Sequence, residues 1–343
     1  SAPGWRITTV LAAVAVWVPE GANRIAFGDI FLCLLPLLVN GALLINAGTS
    51  DWRKNAFWML LALGSSLWLA GQSIWTYVEV YQHRSVPDPF KGDIVFFLHT
   101  IPMFTALTIQ PHKRLDGRKM LCGYVDFAVI LCWWIYLYVF FVLPWQYIAV
   151  NDARYDRAYN AINILENLVF VAGAIFLSAR AKGGWRRIYA HLAGAGATDL
   201  LGSVLVNHAV DHGVLVTGSL YQLPLIVSLL WLGTIGLVAY RTREEEPSIA
   251  VQSVAEKSAS TDYDAEAVWA SRMARTALLS LPAIGLWGVM VSHAPEAVHG
   301  FRMLVTLGAV LPLGFLAFLR HELVDAERLR LLRASQESLD NLK

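Results

Sequence analysis

Several residues that could bind a ligand lie inside or beside long apolar stretches of this sequence. Polar and ionisable side chains are costly inside a membrane, so each of them is a candidate for function. We select Trp75, Tyr77, Glu79, Asp93, His99, Asp126, Asn163, Glu166, Asn167, Tyr221 and Gln222. Their carboxylates, amides and aromatic rings predict a polar, aromatic-rimmed ligand pocket. The alternative is a set of hydrogen bonds between helices that only packs the bundle.

The histidines and cysteines do not form a recognisable metal or haem motif. His99 and His191 are the two histidines well placed within apolar stretches, but they are predicted at different depths. His208 and His212 have a spacing that could bind a metal in a helix, yet no further ligand is evident. The three cysteines match no zinc or redox spacing and are interpreted as apolar packing. We therefore predict no metal and no cofactor bound by this chain itself.

The composition indicates where these residues must sit. Of the 343 residues, 56% are hydrophobic and 15% are charged, and the mean hydropathy is +0.50. A soluble domain carries about 25% charged residues. The apolar residues are concentrated in long runs separated by short polar segments, which predicts an all-α polytopic membrane protein with nine or ten transmembrane helices in a lipid bilayer. The net charge of +1 argues against nucleic acid as a partner.

Nine runs are long enough, or nearly so, to cross a membrane. They are residues 25–48, 56–78, 93–110, 121–145, 160–180, 188–206, 219–240, 273–292 and 303–320. Segment 7–18 is shorter; it could be a signal-sequence core, but we favour a short span or an interfacial helix. We thus predict an N-terminal segment 1–24, a seven-span block 25–240, a linker 241–272, a two-span block 273–320 and a helix 321–343.

The distribution of cations predicts the orientation. Of the 27 Lys and Arg residues, twenty lie in alternate connections or in the C-terminal tail, and six lie in the other connections. Because cytoplasmic connections are enriched in Lys and Arg, the C-terminus is predicted to be cytoplasmic. The loop VPDPFKGD, residues 86–93, then faces the non-cytoplasmic side. Its prolines give a stiff connector there.

The C-terminal segment has the character of a signalling helix. It contains many helix formers, and Leu329, Leu332 and Leu339 fall close to a heptad seam that Ser335 and Gln336 interrupt. We expect it to pair in a homodimer and to lead to an output domain that is missing from this chain. Pro312 is a plausible bend point in the last span. The alternative is an amphipathic terminal helix lying on the membrane.

Two stretches carry a resemblance to a known family. Residues 68–80 read WLAGQSIWTYVEV, and residues 86–103 read VPDPFKGDIVFFLHTIPM. These stretches, with 126–147, NILENLVF (163–170), 185–192 and TGSLYQLPL (217–225), resemble the membrane-embedded N-terminal sensory region of multi-span bacterial sensor histidine kinases, especially those of acidobacterial type. The resemblance covers most of the chain from about residue 27.

The resemblance implies a sensor module of a two-component system in the bacterial inner membrane. The phospho-acceptor and nucleotide-binding motifs of such kinases are absent from this chain. ATP and Mg²⁺ are therefore expected only in the missing kinase domain, which would contact a response regulator. Related regions also precede diguanylate cyclase domains. A transporter or channel, or a redox membrane protein, are further alternatives.

Overall fold

The fold is entirely helical in the part of the chain that the structure describes. A computed structural model describes residues 21–48, 51–87, 89–112, 117–245, 264–290 and 293–340. Within these ranges there are nine α-helices and no strand. The predicted all-α, polytopic membrane architecture is thus confirmed. The predicted segment 7–18 and most of the linker 241–272 lie outside the described residues.

The nine helices follow the nine predicted spans. They are α1 (Ala22–Leu44), α2 (Trp52–Thr76), α3 (Asp93–Ile109), α4 (Gly117–Phe141), α5 (Asp152–Arg180), α6 (Gly183–Asp211), α7 (Leu223–Glu245), α8 (Asp264–Met290) and α9 (Glu296–Asp340). Single π-helical turns, Tyr77–Tyr81 and Pro144–Ile148, follow α2 and α4, and a 3₁₀ turn, Leu220–Gln222, precedes α7. By length and composition, six of the described helical stretches can cross a membrane, and α3 is a shorter apolar helix.

The helices form two compact units. Unit 1 contains α1, α2, α3, α5, α6 and α7, whereas unit 2 contains α4, α8 and α9. The sequence analysis placed span 121–145 in the seven-span block, which differs from this grouping of α4. Polar contacts explain the grouping: the indole Nε1 of Trp133 donates to Ser280 Oγ at 2.8 Å, and the hydroxyls of Tyr136 and Thr306 lie 3.2 Å apart.

Small residues allow the helices of unit 1 to approach closely. A Cβ atom added at Gly236 in α7 would lie 2.2 Å from the carbonyl oxygen of Ala42 in α1. One added at Gly64 in α2 would lie 2.6 Å from the carbonyl oxygen of His99 in α3. Asn46 reinforces the first crossing, because its Nδ2 donates to the Gly236 carbonyl at 2.8 Å. Close backbone packing of this kind is what stabilises helix pairs in lipid.

In unit 2, a buried arginine attaches α9 to α4. The sequence analysis placed Arg302 in an outer connection, but α9 begins at Glu296, so Arg302 lies within the helix and is only 3% exposed. Its guanidinium carbon lies 5.0 Å from the ring of Phe140 and 5.6 Å from that of Trp145. Its Nε donates to the Phe140 carbonyl at 3.1 Å. Aromatic faces and a carbonyl dipole thus offset the cost of removing this cation from water.

A second charged contact joins the same two helices. Arg320 Nε in α9 lies 2.5 Å from Asp126 Oδ1 in α4, and both side chains are largely buried. Arg320 is eighteen residues beyond Arg302, which corresponds to about 27 Å along a helix. The two contacts therefore hold α9 against α4 at levels nearly one membrane thickness apart.

We expect the substitution Asp126→Asn to destabilise unit 2. Removing one partner of a largely buried ion pair leaves the other charge unpaired, which costs about 3 kcal/mol of unfolding free energy. Thermal unfolding in detergent, compared with the unmodified chain, measures the loss. His321→Ala is the matched control, because the His321–Asp325 pair is mostly exposed and contributes little. Equal midpoints for the two variants would contradict a structural role for the Asp126–Arg320 pair.

Candidate functional site

Unit 1 contains a large pocket at one end of its helices. It encloses about 1040 Å³ of empty space that is partly continuous with solvent, and about 140 Å³ of it is open to the centre of a water molecule. Its lining includes Asp93, the first residue of α3, and Asp211, the last residue of α6. Pro87 and Phe90, from the loop before α3, also contribute to it. The pocket therefore opens at the end of unit 1 that carries this loop.

One wall of the pocket is aromatic. Four rings from α2, the following loop and α3 contact one another in series. The ring centroids of Trp75 and Phe90 are 5.3 Å apart, those of Phe90 and Phe96 are 6.4 Å apart, and those of Phe96 and Trp68 are 5.8 Å apart. We call these four residues the aromatic wall. Their edge-to-face and tilted contacts fix the rings and leave a continuous apolar surface for a ligand.

The other wall is polar and comes from α5 and α6. Asp156, Asn160 and Asn163 lie on one face of α5, spaced four and three residues apart, and all three line the pocket with Asn207 and Asp211 of α6. Asn207 Nδ2 donates to Asn160 Oδ1 at 2.6 Å, and Asn160 Nδ2 donates to Asp211 Oδ2 at 3.4 Å. We call these five residues the polar wall. The hydrogen bonds fix which end of each of these two amides faces its neighbour.

Two glutamines at the base of the pocket are oriented by residues behind them. Gln72 Nε2 donates to Asp29 Oδ1 at 2.9 Å, and Gln222 Oε1 accepts from the Gly218 backbone N–H at 2.8 Å. Both glutamine side chains are 5% exposed. Gln72 Oε1 and Gln222 Nε2 have no partner among the residues that the structure describes. The base thus presents one fixed acceptor and one fixed donor.

Asn163 is a third amide of this kind. Its Oδ1 accepts from Asn167 Nδ2 at 3.0 Å, and that same nitrogen also donates to the Asn163 carbonyl. The amide of Asn163 therefore turns its Nδ2 away from Asn167, and within the described ranges this nitrogen has no partner. Asn163 is 8% exposed and lines the pocket. The nitrogen is therefore open to the pocket, where a ligand or a water molecule can accept its hydrogen bond.

The residues behind the pocket form a supporting layer. Glu79 Oε2 accepts from the indole Nε1 of Trp75 at 2.8 Å and from Thr217 Oγ1 at 2.6 Å. Asp29, which is fully buried, lies close enough to Glu79 for direct electrostatic interaction. Glu79 was predicted to bind ligand; the structure places it behind the lining, where it fixes Trp75 and the 217–218 turn.

A smaller chamber adjoins the pocket. Trp68 and His99 line both spaces, and the smaller one offers about 40 Å³ to the centre of a water molecule. Asp199, which interacts electrostatically with His99, lines the smaller chamber together with Asn167. The chamber has room for about one or two water molecules. Polar groups therefore extend from the solvent-open pocket into the interior of unit 1.

The structure brings together five of the predicted ligand residues. Those that line the pocket are Trp75, Asp93, His99, Asn163 and Gln222. Asp93 accepts a hydrogen bond from the hydroxyl of Tyr155, and His99 Nδ1 contacts the carbonyl oxygen of Phe96. Among the described residues no group of three His, Cys, Asp or Glu side chains is placed to hold a metal ion.

The other predicted ligand residues lie elsewhere. Tyr77 and Tyr221 are 52% and 38% exposed and do not line the pocket. Glu166 is buried, and neither of its carboxyl oxygens has a hydrogen-bond partner in the described structure. Asp126 belongs to unit 2, where it pairs with Arg320. Its charge has that partner because α4 packs against α9, which the sequence analysis assigned to another block.

The predicted relay residues are all in α9. Pro312 lies within an uninterrupted helix, and the side chains of Leu329 and Leu332 are 55% and 61% exposed. The side chain of Leu339 lies outside the described residues. The two described leucines are thus available for contact with a partner, as a dimer seam requires.

The sequence analysis did not include the rest of the lining among its ligand residues. The lining also contains five polar residues that were not selected as ligand residues: Gln72, Asp156, Asn160, Asn207 and Asp211. A signal was present: Asp156, Asn160, Asn163 and Asn167 recur at helical spacing on one face of α5. Trp75 was the one residue of the aromatic wall that was selected from the sequence. The other three had no distinguishing spacing, because tryptophan and phenylalanine are common throughout these helices.

Gly28→Ala tests the supporting layer. A Cβ at Gly28 in α1 would lie 2.8 Å from the backbone nitrogen of Gly218, the donor that orients Gln222. Backbone atoms there cannot move without displacing the turn, so we expect the thermal unfolding midpoint in detergent to fall by several degrees. Gly41→Ala in the same helix is the matched control, because a Cβ there meets nothing within 4 Å.

The control should keep or raise the midpoint, since alanine favours helix over glycine by about 1 kcal/mol. A Gly28→Ala protein as stable as Gly41→Ala would show that the 217–218 turn is not packed against α1 as described.

No protein-family model matches the chain, and no curated protein or solved structure matches it either. The pocket, its aromatic and polar walls and the long helix α9 are therefore interpreted from their own chemistry.

Proposed function

We propose that the chain is the membrane sensor module of a two-component histidine kinase, which detects a small molecule and relays its binding through α9. The observation that carries this proposal is the length of α9. It runs without a break for 45 residues, from Glu296 to Asp340, or about 67 Å. The hydrocarbon core of a bilayer is about 30 Å thick, so a span of α9 continues well beyond the membrane as a polar helix.

In this proposal, the pocket of unit 1 is the site that binds the signal molecule. It opens beside the loop before α3, one of the connections that are poor in Lys and Arg. The positive-inside rule then places the pocket on the non-cytoplasmic side of a bacterial inner membrane. The same rule places the C-terminal part of α9 in the cytoplasm. Input and output are thus assigned to opposite faces, as a transmembrane receptor requires.

The chain itself offers a route between the units. Tyr155 and Asp156, near the start of α5, line the pocket, and α5 is joined to α4 by residues 142–151, which include the π-helical turn Pro144–Ile148. Within unit 2, α4 holds α9 through Arg302 and Arg320. A ligand that binds one arrangement tenfold more tightly shifts the equilibrium by about 1.4 kcal/mol.

The output partners follow from the same proposal. The exposed Leu329 and Leu332 of α9 would pair in a homodimer, and the helix would lead into a phospho-acceptor domain. ATP and Mg²⁺ would bind the kinase domain, which would then phosphorylate a response regulator. The alternative output, cyclic-dinucleotide synthesis, would use the same membrane module.

Changing the helical phase after α9 tests the relay. The whole chain is joined to the catalytic region of a well-behaved histidine kinase, with zero to seven alanines inserted after Lys343. We expect autophosphorylation in liposomes to rise and fall with the rotation of the helix and to recover after seven residues, which make about two turns. Activity that is independent of insert length would contradict a rigid helical relay.

Pro312→Ala tests whether α9 bends at this proline during signalling. Proline has no N–H for the carbonyl four residues before it, so the helix is weakened at this position. Replacing it should stiffen α9 and change the ratio of autophosphorylation with and without ligand in the same chimaera. Gly300→Ala, which adds a Cβ that meets nothing within 4 Å in the same helix, is the control. An unchanged ratio for Pro312→Ala would show that the bend takes no part in signalling.

A further inference from the structure

We infer that the pocket of unit 1 binds a small, neutral, polyhydroxylated molecule such as a monosaccharide. This inference rests on the proposed function, because it names the chemical class of the signal for the same site. Three observations support it: the donors and acceptors left unpaired by the oriented amides, the charges of the lining, and the aromatic wall.

The oriented amides can be satisfied by a ligand that both donates and accepts hydrogen bonds. Asn163 Nδ2 and Gln222 Nε2 are donors without partners, and Gln72 Oε1 is an acceptor without one, in the part of the chain that is described. All three side chains are more than nine-tenths buried. A hydroxyl group both donates and accepts, so neighbouring hydroxyls can satisfy these three amides at once.

The charges of the lining exclude an anionic ligand. Three aspartates, Asp93, Asp156 and Asp211, line the pocket, and the described lining contains neither Lys nor Arg. A phosphate or carboxylate would find no lysine or arginine in the described lining to compensate its charge. A simple organic cation would suit the carboxylates, but it would leave the N–H groups of Asn163 and Gln222 unsatisfied. A neutral polyol donates to the carboxylates and accepts from the amides.

The aromatic wall supplies the remaining surface. One face of a sugar ring is formed by C–H groups, whose partial positive charge is attracted to the electron-rich face of an aromatic ring. The aromatic wall and the polar wall come from different helices and line the same cavity. A flat molecule with C–H groups on one face and hydroxyls at its edge can contact both walls.

The volume also fits a molecule of this size. At about 30 Å³ per molecule in the liquid, the 140 Å³ that is open to water centres corresponds to about five water molecules. Displacing them from an apolar wall is favourable, and the hydroxyls replace their hydrogen bonds on the polar wall. A disaccharide or a lipid tail would have to extend beyond the lining into the solvent-open mouth.

The test is isothermal titration calorimetry on the full chain in nanodiscs. The neutral probes are glucose, galactose, mannose and myo-inositol; gluconate and glucosamine are the anionic and cationic probes of matched size. We expect saturable binding of at least one neutral probe, with at least tenfold weaker binding of gluconate. Saturable heats are required because high sugar concentrations stabilise proteins without occupying a site.

Two variants locate the binding in the pocket. Asn163→Ala and Gln222→Ala should each weaken binding of the preferred probe about tenfold, because each removes an oriented buried donor. Gln82→Ala, an exposed amide outside the lining, should leave the affinity unchanged. Circular dichroism and thermal midpoints of each variant show that the fold persists.

The inference is overturned if no neutral probe binds the unmodified chain, if glucosamine or gluconate binds more tightly than every neutral probe, or if both alanine variants bind as the unmodified chain does. The kinase chimaera separates this failure from that of the proposed function. If the autophosphorylation activity of the chimaera follows the helical phase but no sugar binds, only the inferred ligand class is wrong. If a sugar binds but the autophosphorylation activity of the chimaera does not change, only the proposed sensor role is wrong.

Discussion

A polar group inside a membrane protein must find its partner within the protein, and this constraint organises unit 1. No water reaches such groups from the lipid, so a carboxylate or an amide in an apolar helix is either paired by a neighbouring helix or placed against a cavity. Gln72 donates a hydrogen bond to Asp29, Trp75 donates one to Glu79, and Gln222 accepts one from the backbone N–H of Gly218. The other polar ends of the two glutamine amides face the pocket.

The helices were predictable because a bilayer imposes a simple requirement of length and apolarity. Each of the nine spans inferred from the sequence overlaps one of the nine described helices. Boundaries were less predictable. The last span was predicted to begin at residue 303, whereas α9 starts at Glu296 and carries Arg302 inside. Three aromatic rings and a carbonyl group surround its guanidinium. The distribution of charges along the sequence does not show these partners, because they are far from Arg302 in the chain.

The same limit explains the partial success with the site. Asp93, Asn163 and Gln222 were found because polar residues within apolar runs are conspicuous, and all three line the pocket. Asp126 was equally conspicuous, but its partner Arg320 is 194 residues away. Polarity within a span therefore identifies residues that need a partner. Only the packing of the helices shows whether that partner is another side chain or a cavity.

The two units make different use of buried polarity. In unit 2, the described charges Arg302, Arg320 and Asp126 are engaged in contacts that hold α9 to α4, so these groups resist movement of the helix. In unit 1, Gln72, Asn163 and Gln222 are each held at one end and open at the other. A ligand that completes these amides stabilises one arrangement of α2, α5 and the 217–222 turn over others. Binding energy thus enters where hydrogen bonds are incomplete, whereas the complete contacts of unit 2 make α4 and α9 move together.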